Sequence, residues 1–257
     1  MANRRRLDAE LVRRQLASSR TDAATLVHEC RVLVNGAVAE KPARQVAAGD
    51  AVVVVGPAPR FVGRGGEKLD HALDRFAIDV TGRRALDAGA STGGFTDCLL
   101  QRGASHVVAV DVGHGQLHER LRDDPRVTNL ERRNIRHLAV DDIGGPVDLI
   151  VGDLSFISLS LVIPVLVTLC HAGSPMVLLV KPQFEAGRAE AARGRGVVTD
   201  PAVHARVRAE VADALAAARC TVVGWTDSPL TGADGNREFF VHALAPRHTP
   251  TVGWAEC

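Results

Sequence analysis

No two cysteines in this 257-residue chain are spaced C-x-x-C. The five present (Cys30, Cys98, Cys170, Cys220, Cys257) are scattered. That argues against a zinc site or a disulfide scaffold, and the odd count fits a reducing compartment. No metal is expected. Long hydrophobic runs are also missing. The longest, 159–170, is interrupted by Pro164 and is too short to span a bilayer. The N-terminal stretch M-A-N-R-R-R-L-D-A-E carries charge but no apolar segment. No secretory signal and no stable membrane association are therefore expected, and the predicted location is the cytoplasm. Net charge is almost absent as well, at +1, but it is unevenly spread. Residues 1–60 hold ten Lys+Arg against six acids, and the remainder holds 21 against 24. A basic end on a near-neutral body points to an anionic partner such as a nucleic acid.

What is present suits a folded α/β protein. Hydrophobic residues make up 46% of the chain, enough for one medium domain and a small one. Residues 1–59 read as a small α+β module. Leu7, Leu11 and Leu16 recur near helical spacing, and Ser19 is a candidate N-cap for a second helix over 21–29. Asn35-Gly36 between short apolar runs predicts a hairpin, and 51–55 a third strand. Residues 60–67 read as a linker rich in glycine. Over 68–245, apolar strands alternate with helices: a helix at 68–76, strands at 84–87, 106–112, 127–131, 147–152 and 176–181, helices at 95–102, 159–170 (kinked at Pro164) and 201–219, then strands at 221–225 and 238–243. Such a pattern predicts a Rossmann-like sheet of seven mostly parallel strands, covered on both faces. Residues 246–257 show no pattern and read as a tail.

The first of these strands runs into D-A-G-A-S-T-G-G-F (Asp87–Phe95). A strand, a small-residue turn and a helix present backbone N–H groups to a ligand at the carboxyl edge of a parallel sheet. Three readings compete. A dinucleotide fingerprint requires G-x-G-x-x-G, and Ser91 stands where its middle glycine should be. Gly89-Ala90-Ser91-Thr92-Gly93 fits the G-x-S-x-G of a serine hydrolase. However, the turn follows the first strand of the sheet, and no histidine clearly ends a later one. The third reading is an S-adenosylmethionine site. Asp87 would meet the methionine part, Gly89, Ser91, Thr92, Gly93, Gly94 and Phe95 would form the close turn, Asp111 and Val112 would take the ribose side, and Asn134 would reach the adenine edge. No phosphate needs neutralising there, which fits a turn with an acid and no lysine.

Lys68, Asp153, Lys181 and Glu238 favour the third reading, because all four belong near the carboxyl edge of such a sheet. Two lysines and two carboxylates suit removal of a proton from a weakly acidic alcohol. A lysine ordinarily titrates near ~10.4, and burial beside another cation lowers it toward ~7–8. Asp153 also borders the methyl-donor site. Phe156, beside it, reads equally as core or as a stacking surface for a flipped base.

The motifs now resemble a known family. S-R-G-x-x-K-L (Gly63–Leu69, with Gly63 in place of serine), D-A-G-A-S-T-G-G-F-T, D-V-G-x-G-Q-L (Asp111–Leu117), D-L-S-F-I-S-L (Asp153–Leu159), L-V-K-P-Q-F-E (Leu179–Glu185) and G-N-x-E-F-F (Gly235–Phe240) are similar to those of the TlyA family, also labelled hemolysin-type. The likeness extends to about residue 245. It implies an alpha-L RNA-binding domain, like that of small-subunit ribosomal protein S-four, joined to an FtsJ-like class I methyltransferase domain. It also implies a ribose 2′-O-methyltransferase using S-adenosylmethionine and a Lys-Asp-Lys-Glu tetrad, here Lys68, Asp153, Lys181 and Glu238, with cytidines of small- and large-subunit ribosomal RNA as substrates. Arg4, Arg6, Arg20 and Lys41 would then meet phosphates, with Arg132 and Arg136 guiding RNA toward the site, while Arg13 and Arg14 solvate a helix. A monomer is expected. The alternatives are a membrane-acting hemolysin and an RNA-binding module with an inactive methyltransferase domain.

Overall fold

The computed structural model describes residues 4–17, 20–28, 30–56, 59–187, 196–232 and 235–247. The candidate cap Ser19, Pro57 and Ala58 near the end of the first module and most of the tail lie outside them. The chain divides into two compact units, Met1–Gly63 and Arg64–Cys257.

In the first unit β1 (Arg5–Arg6) leads into α1 (Leu7–Arg13), and α2 (Arg20–His28) follows. The fully buried Leu7 and Leu11 share a core with Val27, Val32 and Val34. The hairpin joins β2 (Val32–Val34) to β3 (Ala37–Val38), with Leu33 opposite Val38. Asn35 and Gly36 both have positive φ, at 53° and 81°, as a type I′ turn requires. β4 (Gln45–Val46) pairs antiparallel with β1, and β5 (Val52–Val54) pairs antiparallel with β2. The β1–β4 ribbon went unpredicted because two exposed arginines carry no strand pattern.

The second unit opens with α3 (Arg64–Arg75). Residues 64–67, expected as linker, are its first turn. Its glycines are needed for packing: a Cβ on Gly94 would lie 2.9 Å from the backbone nitrogen of Gly66, so α3 and α4 (Gly94–Gln101) can approach only without side chains there. The seven strands are β6 (Arg84–Ala88), β7 (His106–Val110), β8 (Val127–Leu130), β9 (Leu149–Gly152), β10 (Pro175–Val180), β11 (Thr221–Asp227) and β12 (Phe239–Leu244). They lie in the order β11-β12-β10-β9-β6-β7-β8, with β12 antiparallel to both its neighbours and the other pairings parallel. Consecutive residues of the central strands, such as Leu149, Ile150 and Val151, are all fully buried. Both faces are therefore covered, which is why these strands read as unbroken apolar runs. On one face they meet Leu159, Ile163 and Leu166 and the inward side of the helix Pro201–Ala217 (Val207, Val211, Leu215).

The helix expected over 159–170 is not continuous. A 3-10 turn, Leu159–Leu161, is followed by a single helical turn, Ile163–Leu166, with Pro164 in its first positions. Proline lacks an N–H and fits the first turn of a helix, so it starts a new segment here rather than kinking a long one.

Candidate active site

The carboxyl ends of β6, β7 and β9 frame a cleft of about 540 Å³, of a size suited to a cofactor. Gly89, Ser91, Asp111, Val112, Asn134 and Asp153 line it. Gly89 has φ +88°, and a Cβ there would lie 2.7 Å from the Asp153 carbonyl oxygen. The turn is therefore closed to side chains where it crosses the end of β9. Ser91 is also left-handed (φ 46°); its N–H donates to Asp111 Oδ2 at 2.8 Å, while Gly113 N–H donates to Asp111 Oδ1 at 2.7 Å. These two bonds fix the Asp111 carboxylate at the cleft wall and leave each oxygen a further lone pair. The Ser91 hydroxyl donates to Gln116 Oε1 at 3.2 Å, a side chain that cannot act as its base. Asn134 accepts from the Arg136 N–H at 3.1 Å.

The remaining residues expected at the cofactor do not line the cleft. Gly93 is the left-handed N-cap of α4, where a Cβ would collide with Leu121 and Leu117. Gly94 packs on α3, Phe95 is buried with its ring 6.1 Å from that of Phe240, and the Thr92 carbonyl accepts from His118 N–H. Asp87 is fully buried beneath the turn. Its Oδ2 accepts from Thr96 Oγ1 at 2.7 Å, and its Oδ1 has no hydrogen-bond partner among the described residues. Burial pushes the Asp87 carboxyl up to about 7; the Thr96 hydrogen bond opposes this and the charge of Asp153 adds to it.

The four charged residues form two ion pairs. Lys181, directly after β10, holds its Nζ 2.5 Å from Asp153 Oδ1, directly after β9. The contact is one of charge: the directed hydrogen bond of the Lys181 amine goes to Ser155 Oγ, at 2.9 Å. Lys68 on α3 meets Glu238, the residue before β12, at 2.6 Å, with both side chains buried. The β10–β12 register sets Val180 against Phe239, which brings residues 181 and 238 to the same end of neighbouring strands. A Cβ on Gly65 would lie 3.9 Å from Asp153 Oδ2, so the first turn of α3 rests against the other pair. Gly232 leaves room for Glu238, whose Oε1 a Cβ there would meet at 2.6 Å.

Phe156 is 90% exposed, which removes the core reading. It has φ +64°, and its ring centroid lies 4.9 Å from that of Phe184, which in turn stands 5.8 Å from Lys181 Nζ. Phe156 and Arg136 both line the cleft, and Arg132 is exposed. Arg4, Arg6, Arg20 and Lys41 are exposed on the first unit. Arg6 and Arg20 are not free cations: they bind Asp8, at 2.7 and 3.2 Å, and hold its carboxyl down at about 2, Arg6 foremost. Arg13 and Arg14, expected only to solvate a helix, clamp the buried Glu10 at 2.6 and 2.8 Å.

Sequence reasoning did not single out Gln116, Arg133, Ser155 or Ile157, which also line the cleft. Gln116, Ser155 and Ile157 fall inside motifs already quoted, and that was the only signal available for them.

The residues present fit S-adenosylmethionine: a glycine cradle that a Cβ would fill and a fixed carboxylate at the end of β7. Comparison with known proteins agrees. Residues 61–244 match the FtsJ-like methyltransferase family and residues 5–52 the S4 domain. The chain is 53% identical to the 16S/23S rRNA (cytidine-2′-O)-methyltransferase TlyA of Mycobacterium tuberculosis, over 94% of this chain and 90% of that one. It is 32% identical to the 23S rRNA (cytidine-2′-O)-methyltransferase TlyA of Campylobacter jejuni, over 72% and 71%. A solved structure described as a hemolysin from Streptococcus thermophilus superposes with a TM-score of 0.76 at 38% identity, covering 96% of this chain and 90% of that one. No helix among the described residues is long and apolar enough to cross a membrane. With an S4 domain ahead of an FtsJ-like methyltransferase domain and relatives of this closeness along nearly its whole length, the chain belongs to the TlyA family of methyltransferases.

Proposed function

We propose that the protein methylates the ribose 2′-hydroxyl of a cytidine in ribosomal RNA, with S-adenosylmethionine as donor. The observation that carries this reading is the Lys181–Asp153 pair, set at the ends of β10 and β9 beside the Gly89 cleft. The donor supplies an electrophilic methyl group on a sulfonium. Gly89, Ser91, Asp111, Val112 and Asn134 hold it, and Asp87 supports the turn from below. Lys181 takes the 2′-hydroxyl proton, and Asp153 and Ser155 fix where its Nζ points. Lys68 and Glu238 hold the neighbouring strand end and place the ribose. Much of the acceleration comes from holding the reacting atoms in line. Phe156 gives an exposed face on which a base displaced from its stack can rest. Arg132 and Arg136 border the RNA path, and Arg4, Arg6, Arg20 and Lys41 contact phosphates.

On this reading the enzyme works as a monomer in the cytoplasm on ribosomal subunits. Its greater likeness to the 16S/23S relative supports substrates in both. Unmodified small and large subunits are incubated separately with labelled donor, and the products are digested and mapped by mass spectrometry. A 2′-O-methylcytidine in each is expected, lost in Lys181→Ala while donor binding by calorimetry persists. A base-methylated product, or full activity in Lys181→Ala, overturns the proposal. Leakage of liposomes by both wild type and Lys181→Ala would instead favour a membrane-acting hemolysin.

A further inference from the structure

Two loops follow the neighbouring parallel strands β9 and β10, and each carries part of the proposed site. The first, Asp153–Leu159, bears Asp153, Ser155 and Phe156. The second bears Lys181 and Phe184 and ends in the helical turn Pro182–Glu185. Beyond the Lys181 contacts and the ring pair, the loops share one further tie. The Glu185 carboxylate accepts from Ser158 Oγ at 2.6 Å through Oε2, and from the Leu159 N–H at 2.9 Å through Oε1. Each oxygen takes one donor, and the donors are consecutive residues, so the carboxylate fixes both position and orientation of the loop end. Ser158 is itself held, since Ser160 N–H donates to its Oγ at 3.2 Å.

The tie answers a need. Phe156 sits in the left-handed region, which a non-glycine residue holds only where the surroundings enforce it. Its ring is almost wholly exposed, so core packing cannot enforce it. Burial also makes a carboxylate at position 185 unfavourable: its acidity is weakened by desolvation and by Glu210, against the two hydrogen bonds. An apolar side chain would fill that space without this penalty but could not hold the loop.

We infer that Glu185 is a positioning residue for methyl transfer: by tying the Phe156 loop to the Lys181 turn, it sets the Lys181 amine and the Phe156–Phe184 pair in their working relation. The inference rests on the proposed ribose methylation. Glu185 itself touches neither donor nor RNA in this role.

Steady-state methylation of unmodified ribosomal subunits at saturating donor tests it, alongside donor affinity by calorimetry and folding by circular dichroism. Glu185→Ala is expected to lower kcat by about 10- to 100-fold, as displacement of a supporting group commonly does, with donor affinity within about twofold. Glu185→Gln is expected to restore most of the rate, because its amide oxygen accepts from Leu159 and its amide nitrogen can donate to the Ser158 hydroxyl. The effects of Glu185→Ala and Phe156→Ala are expected to be less than additive, since both act on one loop. Wild-type kcat in Glu185→Ala, or full additivity with Phe156→Ala, overturns the inference. Should Glu185→Ala fail to fold, Ser158→Ala decides in its place: a loss of kcat at unchanged donor affinity supports the inference, and a wild-type rate overturns it. A wild-type protein that yields no 2′-O-methylated nucleotide overturns the proposed function and this inference together. Product from the wild type that Glu185→Ala matches overturns this inference alone.

Discussion

Lys68 Nζ lies 2.6 Å from Glu238 Oε2, with the two side chains only 9% and 2% exposed. The pair therefore stands in low dielectric, where losing one partner is more costly than losing both. Removing one member of a buried pair destabilises by about 3–5 kcal/mol, because a buried charge is left uncompensated. Lys68→Met and Glu238→Gln are each expected to lower the denaturant midpoint clearly, and the double variant to regain part of the loss. Urea titrations of the three check this; an additive double variant would mean the charges do not sense one another.

Phe156 is expected to behave in the opposite way. Nothing in the core depends on its ring, so Phe156→Ala should leave stability within about 0.5 kcal/mol. Its effect should fall on RNA, since stacking of a base on an aromatic ring contributes about 1–3 kcal/mol. That corresponds to roughly 5- to 150-fold in kcat/KM for ribosomal subunits. A variant that loses stability but keeps its kcat/KM would return Phe156 to a structural role.

Gly89→Ala tests the cradle. The new Cβ would press on the Asp153 carbonyl oxygen, with φ at +88° adding strain. Something must shift, and the atoms nearest are those of the donor cleft and the base of the Asp153–Lys181 pair. Calorimetry should show donor affinity lowered by about tenfold or more, because the cradle is displaced from the geometry that holds the donor. Unchanged affinity would place the donor elsewhere.

These residues differ in how visible they were in the sequence. The Asn35-Gly36 hairpin, the seven apolar strands and the charged residues at their ends were legible, because period, turn chemistry and strand-end position are local. The β1–β4 ribbon was not: Arg5 and Arg6 are exposed and offer no alternation. Gly93 and Gly94 read as ligand contacts because a glycine needed for close helix packing looks the same in sequence as one needed for a ligand. The converse held for Gln116 and Glu185. Their partners, Ser91 and Ser158, are 25 and 27 residues away, and only the sheet brings them together. Pairing within the tetrad was hidden for the same reason: Lys68 meets Glu238 across 170 residues.

Asp87 gives a pH signature. In the unfolded chain its carboxyl titrates near ~3.9, and in the folded protein burial holds it up at about 7. Below pH ~4 it is protonated in both states and costs nothing. Between pH ~4 and ~7 the folded state keeps the proton that the unfolded state has released, so this group's contribution to stability falls as pH rises; above ~7 it levels off. A shift of this size corresponds to about 4 kcal/mol over the whole window. Asp87→Asn removes the titration and keeps an acceptor for Thr96. The stability difference, wild type minus Asp87→Asn, should therefore decline steadily from pH 4 to 7 and then flatten. Other carboxylates, such as Asp8, Glu10 and Glu131, are held down at about 2. They are common to both proteins and cancel in the difference. Chemical denaturation at half-unit pH steps measures it, and a flat difference would show that Asp87 is ionised and solvated beneath the turn.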